Sequence, residues 1–251
     1  YGYANDARVM VMQNLGNTLD FMLHQRCGGQ FSLKTTLMLG IQMFDSVRNL
    51  HSANYIHRDL KPENFLMGTQ TKQYNTKGYV YLIDFGLAKR YKSDDKVHMM
   101  YHDDKKLVGT ARYASVNSHR GLELSRRDDL ESLLYILVYF LKGSLPWQGV
   151  PVAGKEAKYK AIGDSKAATT PEALTEGLPI QFGQFLRCVR ALEFKEKPPY
   201  MYLRGLLCDL FYSLGYQYDY MYDWTIPAAL SGVGGRAAGA ELDEAHRLRK
   251  L

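Results

Sequence analysis

Cysteine is scarce in this chain: three in 251 residues, at positions 27, 188 and 208. The count is odd, and neither Cys-x-x-Cys spacing nor a nearby histidine cluster accompanies it. That excludes a disulfide framework and a structural zinc site, and predicts a reduced, intracellular chain. Long apolar runs are missing as well. No stretch of about 18 uncharged apolar residues occurs, and the N-terminus lacks a basic-then-apolar leader, so no membrane span or secretion signal is legible. Charge of one sign is only mildly in excess, with 32 Lys and Arg against 26 Asp and Glu, a net +6. Such an excess suits phosphate-rich or acidic ligands and is weak evidence for nucleic acid. With 46% hydrophobic, 12% aromatic and 23% charged residues, the composition excludes a disordered, collagen-like or fibrous protein. It predicts a folded chain of one to two domains with ample core.

Periodicity then places the elements. Alternation over Arg8–Met12 predicts a strand, and because the chain opens on Tyr1 rather than Met, the fold is expected to begin upstream of it. A short helix follows, capped by Asn17 or Thr18, running to Arg26 and ended by Gly28-Gly29. From Ser32, a natural N-cap, the residues Leu33, Leu37, Ile41, Phe44, Val47 and Leu50 recur at three- and four-residue spacing, which predicts one long amphipathic helix. His57–Leu66 has no period and reads as a loop, and Tyr79–Ile83 reads as a strand. Lys89–Lys106 mixes both charges and predicts a long exposed segment of the functional kind. Asp128–Leu141 is apolar nearly all round, as a helix buried on most sides would be, and further helices are expected near 171–176, 180–192 and 200–214. The aromatic run Tyr216 to Trp224 closes the folded part, leaving 225–251 as an Ala- and Gly-rich, then charged, tail. There are no internal repeats.

One segment carries chemistry. His57-Arg58-Asp59-Leu60-Lys61-Pro62-Glu63-Asn64 sets an Asp, a Lys and an Asn in a loop after the long helix, and Asp84-Phe85-Gly86 follows the next strand. Phosphoryl transfer asks for this set: a carboxylate to accept the hydroxyl proton, a cation on the γ-phosphate, and oxygen ligands for Mg²⁺. Several such motifs in order are specific where a lone Asp-Phe-Gly would not be. They resemble the protein kinases.

The resemblance narrows on Gly109-Thr110-Ala111-Arg112-Tyr113-Ala114-Ser115-Val116-Asn117, on Ser125 to Ser132, on Gly143 to Gly149, and on the terminal Tyr-Asp-Tyr-x-Tyr-Asp-Trp. These are similar to the casein kinase 1 family of serine/threonine kinases, over residues 1–224. The resemblance implies an α+β, protein-kinase-like fold: a mainly helical C-terminal lobe with the hinge strand, and a tail at 225–251. It implies Asp59 as catalytic base, Lys61 on the γ-phosphate, Asn64 and Asp84 as Mg²⁺ ligands, and Thr110, with Lys61, as the serine/threonine signature. Asp129 would support the catalytic loop from the buried helix. Adenine would lie against Met12, Leu15, Leu66 and Ile83, with the backbone of Gln13 and Leu15 as hydrogen-bonding hinge; read from the residues alone, these are core positions. ATP and Mg²⁺ are the implied cofactors.

Arg58, Lys89, Lys105, Arg112 and Lys158 fall where the family binds anions, which implies acidic or already phosphorylated protein substrates. A solvated mixed-charge face is the bland alternative for Lys89 and Lys105, since Asp94, Asp95, Asp103 and Asp104 are close in sequence. The glycine-rich loop, strand lysine and helix glutamate of the small β-rich lobe are not found in this sequence. The chain by itself is therefore expected to be inactive, because losing even one preorganised transition-state contact costs about 10²–10³ in rate. Two alternatives to an active kinase follow: a truncated non-catalytic phosphoprotein-binding module, or a pseudokinase-like interaction protein that pairs its exposed hinge. The remaining expectations are a monomer when complete, no nucleic-acid or membrane partner, and a cytoplasmic location with a nuclear pool as the variant. Gly232 to Arg236 imitates a phosphate loop but has no preceding strand and no Gly-Lys-Ser/Thr ending. His24, His51 and His98 have no ligand spacing and read as surface or packing residues.

Overall fold

The computed structural model describes residues 2–4, 7–71, 75–151 and 153–225. The tail expected over 225–251, with its Gly232–Arg236 run, lies outside them beyond Thr225. Two short strands, β1 (Gly2–Ala4) and β2 (Ala7–Val9), pair antiparallel. The strand expected over Arg8–Met12 stops at Val9, which pairs with Gly2. Met10, Val11 and Met12 stand exposed beyond it.

Helix α1 (Leu19–Arg26) begins where Thr18 accepts a hydrogen bond from the Phe21 amide. Helix α2 (Leu33–Ser52) begins at Ser32, whose side chain accepts from the Thr35 amide. These are the two capping positions that short hydroxyl residues favour. The expected stripe of α2 is buried at Leu37, Ile41, Phe44 and Val47, and Met38, Leu39 and Met43 are buried beside it. The helix is thus enclosed on more sides than its period implied.

Then come β3 (Tyr55–Ile56), a 3₁₀ turn at Pro62–Asn64, β4 (Phe65–Met67), β5 (Val80–Leu82) and β6 (Lys89–Arg90). β4 pairs antiparallel with β5, and β3 with β6. The segment 89–106 is therefore tied at its start, and Tyr91 is buried with its hydroxyl on the His51 carbonyl, 2.7 Å away.

The rest is helical: α3 (Val116–His119), α4 (Arg126–Lys142), α5 (Lys155–Ala168), α6 (Pro171–Leu174), α7 (Ile180–Ala191) and α8 (Tyr200–Ser213). The sequence reading did not anticipate α3 or α5. α4 is the axis: every residue from Asp128 to Phe140 is buried. It packs on α2 and α7, and α2 packs on α8. At Gly40 a Cβ would come within 3.1 Å of the Leu137 side chain, so a glycine sets how closely α2 approaches α4. Leu134 is fully buried in the same packing.

After α8 the aromatic run returns across α2 as a strap. Asp223 accepts hydrogen bonds from the Ser32 amide (2.7 Å), the Ser32 hydroxyl (2.6 Å) and the Thr35 hydroxyl (2.8 Å), adding a second cap to α2. Tyr218 donates to the Met38 carbonyl and Tyr222 to the Gly78 carbonyl, and Trp224 stacks on Tyr222. One hydrophobic core thereby runs from Leu19 to Tyr222.

Candidate active site

The loop after β3 is shaped from behind by α4. Asp129, buried in its first turn, accepts the His57 amide at 2.8 Å, the Arg58 amide at 2.8 Å and the His51 ring at 2.9 Å. Burial pushes this carboxyl up, but the hydrogen bonds from the His51 ring and the Arg58 amide hold it below its ordinary value. It stays ionised, as a triply coordinated carboxylate should. The arrangement also accounts for Arg58, which takes a left-handed backbone with φ 70°. A non-glycine residue adopts that only where its surroundings dictate it, and here both amides around it are fixed by one carboxylate. His57 continues the chain of contacts. Its Nε2 donates to the Ile83 carbonyl at 3.0 Å, which leaves Nδ1 to accept the Asp59 amide at 3.3 Å.

Asp59 is the convergence point. It is 9% exposed. Its Oδ1 accepts both the Thr110 amide and the Thr110 hydroxyl, each at 2.8 Å, and its Oδ2 accepts the Lys61 ammonium at 2.9 Å. Burial works against the charge of Lys61, yet the Asp59 hydrogen bond and the charges of Asp59, Glu63 and Asp84 raise its pKa. It remains a cation. Gly109 lets Thr110 reach this far: at φ 83°, a Cβ there would lie 2.4 Å from the Arg58 carbonyl oxygen and 3.2 Å from Asp59 Oδ1. No other residue fits that approach.

Asn64 donates from Nδ2 to the Asp59 carbonyl at 2.9 Å, so its amide oxygen is turned to the other side. Asp84 is exposed, has a left-handed backbone with φ 61°, and accepts the Gly86 amide at 3.2 Å. Among the described residues, no three His, Cys, Asp or Glu side chains are grouped to hold a metal on their own. One amide oxygen and one exposed carboxylate nonetheless fit Mg²⁺, which usually takes one or two protein oxygens and completes its shell with phosphate and water. Behind the expected adenine position, Leu66 and Ile83 are half-buried and joined through β4 and the Ile83 amide to the Asn64 carbonyl, 3.0 Å. Leu15 is half-buried next to Gly16, whose amide bonds to the Met67 carbonyl, while Met12 and Gln13 are exposed.

The sequence matches the family model of the protein kinase domain over residues 2–178. The chain belongs to the protein kinase family. That match covers the whole constellation just described, and the hydrophobic core continues past it through α7, α8 and the strap.

Of the five expected anion-binding cations, two meet in the kinase structure. Lys89 donates to Glu123 at 2.9 Å, and burial lowers the Arg58 pKa while the charges of Glu123 and Asp129 oppose that. Glu123 is buried, and its second oxygen, Oε2, has no hydrogen-bond partner among the described residues. Lys105 lies alongside, its amide on the Gly121 carbonyl and its ammonium 3.5 Å from Asp104. Arg112 sits apart, its guanidinium over the rings of Tyr113 and Tyr139, and Lys158 is exposed on α5.

Sequence reasoning passed over several residues that the site depends on. His51 is one, a buried link between Tyr200 and Asp129 where the sequence predicts a surface or packing residue. Glu123 is another. A third is Lys166, which no pattern in the sequence distinguishes from a surface lysine.

Proposed function

We propose that the protein is a serine/threonine kinase of casein kinase 1 type, transferring the γ-phosphoryl group of ATP to acidic or pre-phosphorylated protein substrates. The observation that carries this reading is the double grip on Asp59. Thr110 occupies one carboxylate oxygen and Lys61 the other, so the base and the γ-phosphate cation are fixed 2.9 Å apart. In this reading Asp59 Oδ2 takes the proton of the substrate hydroxyl as that oxygen attacks phosphorus. Lys61, moving from Asp59 to the phosphoryl oxygens, offsets their charge. Asn64 and Asp84 would hold Mg²⁺, which when bound neutralises the phosphates and aligns them. Thr110, between the base and the segment 111–114, orients the base toward an acceptor lying along that segment. Arg112, Lys105 and Lys158 supply cations for substrate acids or phosphates, and Met12, Gln13, Leu15, Leu66 and Ile83 form the adenine position.

The test is transfer of labelled phosphate from ATP with Mg²⁺, by the chain joined to the small β-rich lobe that the resemblance implies, to three peptides: an acidic serine peptide, the same peptide carrying an upstream phosphoserine, and a tyrosine version. The phosphoserine peptide is expected to be the best substrate and the tyrosine peptide to remain unlabelled. Asp59→Asn is expected to lower transfer by about 10²–10⁴-fold, the usual weight of a general base. Phosphopeptide binding by the wild type without turnover would instead support the non-catalytic phosphoprotein-binding module.

A further inference from the structure

Lys166 lies in the last turn of α5 and is completely buried. Among the described residues its ammonium faces no carboxylate at hydrogen-bond distance. Instead it donates to the carbonyl of Ala111 at 2.7 Å and to that of Ala114 at 2.5 Å, and lies 5.0 Å from the Trp147 ring and 5.2 Å from the Tyr135 ring. Both carbonyls belong to the five residues that begin at Thr110, the contact of Asp59. The same strip is held at its middle, where the Trp147 indole donates to the Arg112 carbonyl at 2.8 Å. It is closed on itself by the Tyr113 and Ala114 amides, both on the Thr110 carbonyl at 2.9 Å.

Burying an ammonium is costly. A methionine or leucine between Tyr135 and Trp147 would pack at lower cost than a cation, so the fold alone gives no reason for a lysine here. What the lysine adds is two donors aimed at two specific carbonyls. His119 does not duplicate them. Its Nδ1 faces the Tyr159 carbonyl at 3.0 Å and its Nε2 the Ala111 carbonyl at 3.2 Å, and burial lowers its pKa to about 4. A neutral ring carries one N–H and serves one of those two carbonyls. Lys166 itself is firmly placed, since Arg190 of α7 donates to the Lys166 carbonyl at 3.1 Å and to the Thr169 carbonyl at 2.7 Å.

We propose that Lys166 is the positioning residue of the acceptor-binding strip, holding residues 111–114 so that Thr110 stays on Asp59 and the substrate hydroxyl meets the base. The proposal rests on the kinase reading for its catalytic meaning, but its structural part is testable without turnover. Either charge state serves, because a neutral amine still offers two hydrogens to the two carbonyls. The informative change is therefore loss of the donors, by Lys166→Met, with Lys166→Gln as a variant that keeps an amide donor.

Amide hydrogen exchange is measured by mass spectrometry on the full chain and both variants. In Lys166→Met, exchange over residues 110–114 is expected to accelerate about tenfold or more while α2 and α4 keep their protection, with Lys166→Gln between the two. In transfer assays kcat/KM for a serine peptide is expected to fall about tenfold while the KM for ATP moves less than twofold, since the strip and the Thr110 contact to Asp59 are disturbed and the nucleotide position is not. Unchanged exchange over 110–114 overturns the proposal. So does acceleration spread equally over α2 and α4, or loss of the fold in both variants, because Lys166 would then support the core. Should the wild type transfer no phosphate even when joined to the small β-rich lobe that the resemblance implies, the kinase reading fails, and the exchange pattern still decides whether Lys166 holds the strip.

Discussion

Arg112 separates two tasks within a single residue. Its carbonyl, held by Trp147, helps fix the strip next to Asp59, while its guanidinium lies partly exposed over Tyr113 and Tyr139. Burial disfavours that charge, yet the Tyr113 hydroxyl and the charges of Tyr113, Tyr139 and Glu63 raise its pKa, so it is a cation throughout the working range. Alanine at this position leaves the carbonyl contact in place and removes the charge together with its packing over the two rings. Two unit charges 4 Å apart interact by about 4 kcal/mol at an effective dielectric of 20, before screening and desolvation reduce it. Arg112→Ala is therefore expected to lower the kcat/KM ratio of primed to unprimed peptide about tenfold, the equivalent of about 1.4 kcal/mol. An equal loss on both peptides would remove Arg112 from substrate selection. Arg58 and Lys89 offer a weaker case, because an incoming anion must compete there with the buried Glu123 carboxylate.

At the scale of elements, the strap after α8 acts on α2 through Asp223. Three donors from Ser32 and Thr35 end on that one carboxylate, and the Asp223 amide returns a bond to the Thr35 hydroxyl at 3.1 Å. Asp223→Ala is expected to destabilise the chain by about 1–3 kcal/mol in urea unfolding, the range for a lost cap and its newly unpaired donors. Asp223→Asn should lose less, since an amide oxygen still accepts. Ser32→Ala combined with Asp223→Ala should fall short of the sum of the single changes, because the two share the same bonds. The strap was visible in the sequence as an aromatic run, and α2 as a stripe with a serine before it. α5 was not visible, for a physical reason: its buried face consists of Ile162, Gly163 and Lys166. A glycine and a lysine on the inner face leave no apolar period to read. The candidate constellation around Asp59 was legible because its residues sit at fixed offsets within one loop and one turn. Its supports, His51, Glu123 and Lys166, come from separate elements and meet only after folding.

For the whole molecule, the buried titratable groups predict an uncommon dependence of stability on pH. Burial lowers the Lys166 pKa to about 7, Arg190 adds to this and Glu131 opposes it, while the unfolded lysine keeps 10.5. Between those values the unfolded state holds one more proton, so stability rises with pH above 7. The cysteines act in the opposite sense: burial, with Asp223 nearby, raises Cys27 from 9.0 to about 12, so above pH 9 the folded state holds the extra proton and stability falls. On the acid side two groups oppose one another. His119, lowered to about 4, makes stability drop as pH falls from 6.5, whereas Asp128, raised by burial to about 6 despite its bonds to Ser125, Ser115 and Asn117, makes it grow over much of the same interval. Urea midpoints should accordingly change little between pH 5 and 6, climb from pH 7 to a maximum at about pH 9, and decline beyond it. In Lys166→Met the climb between pH 7 and 8.5 should disappear while the decline above pH 9 persists. A climb of the same height in that variant would mean that another group supplies it, and that Lys166 does not change its protonation on folding in that interval.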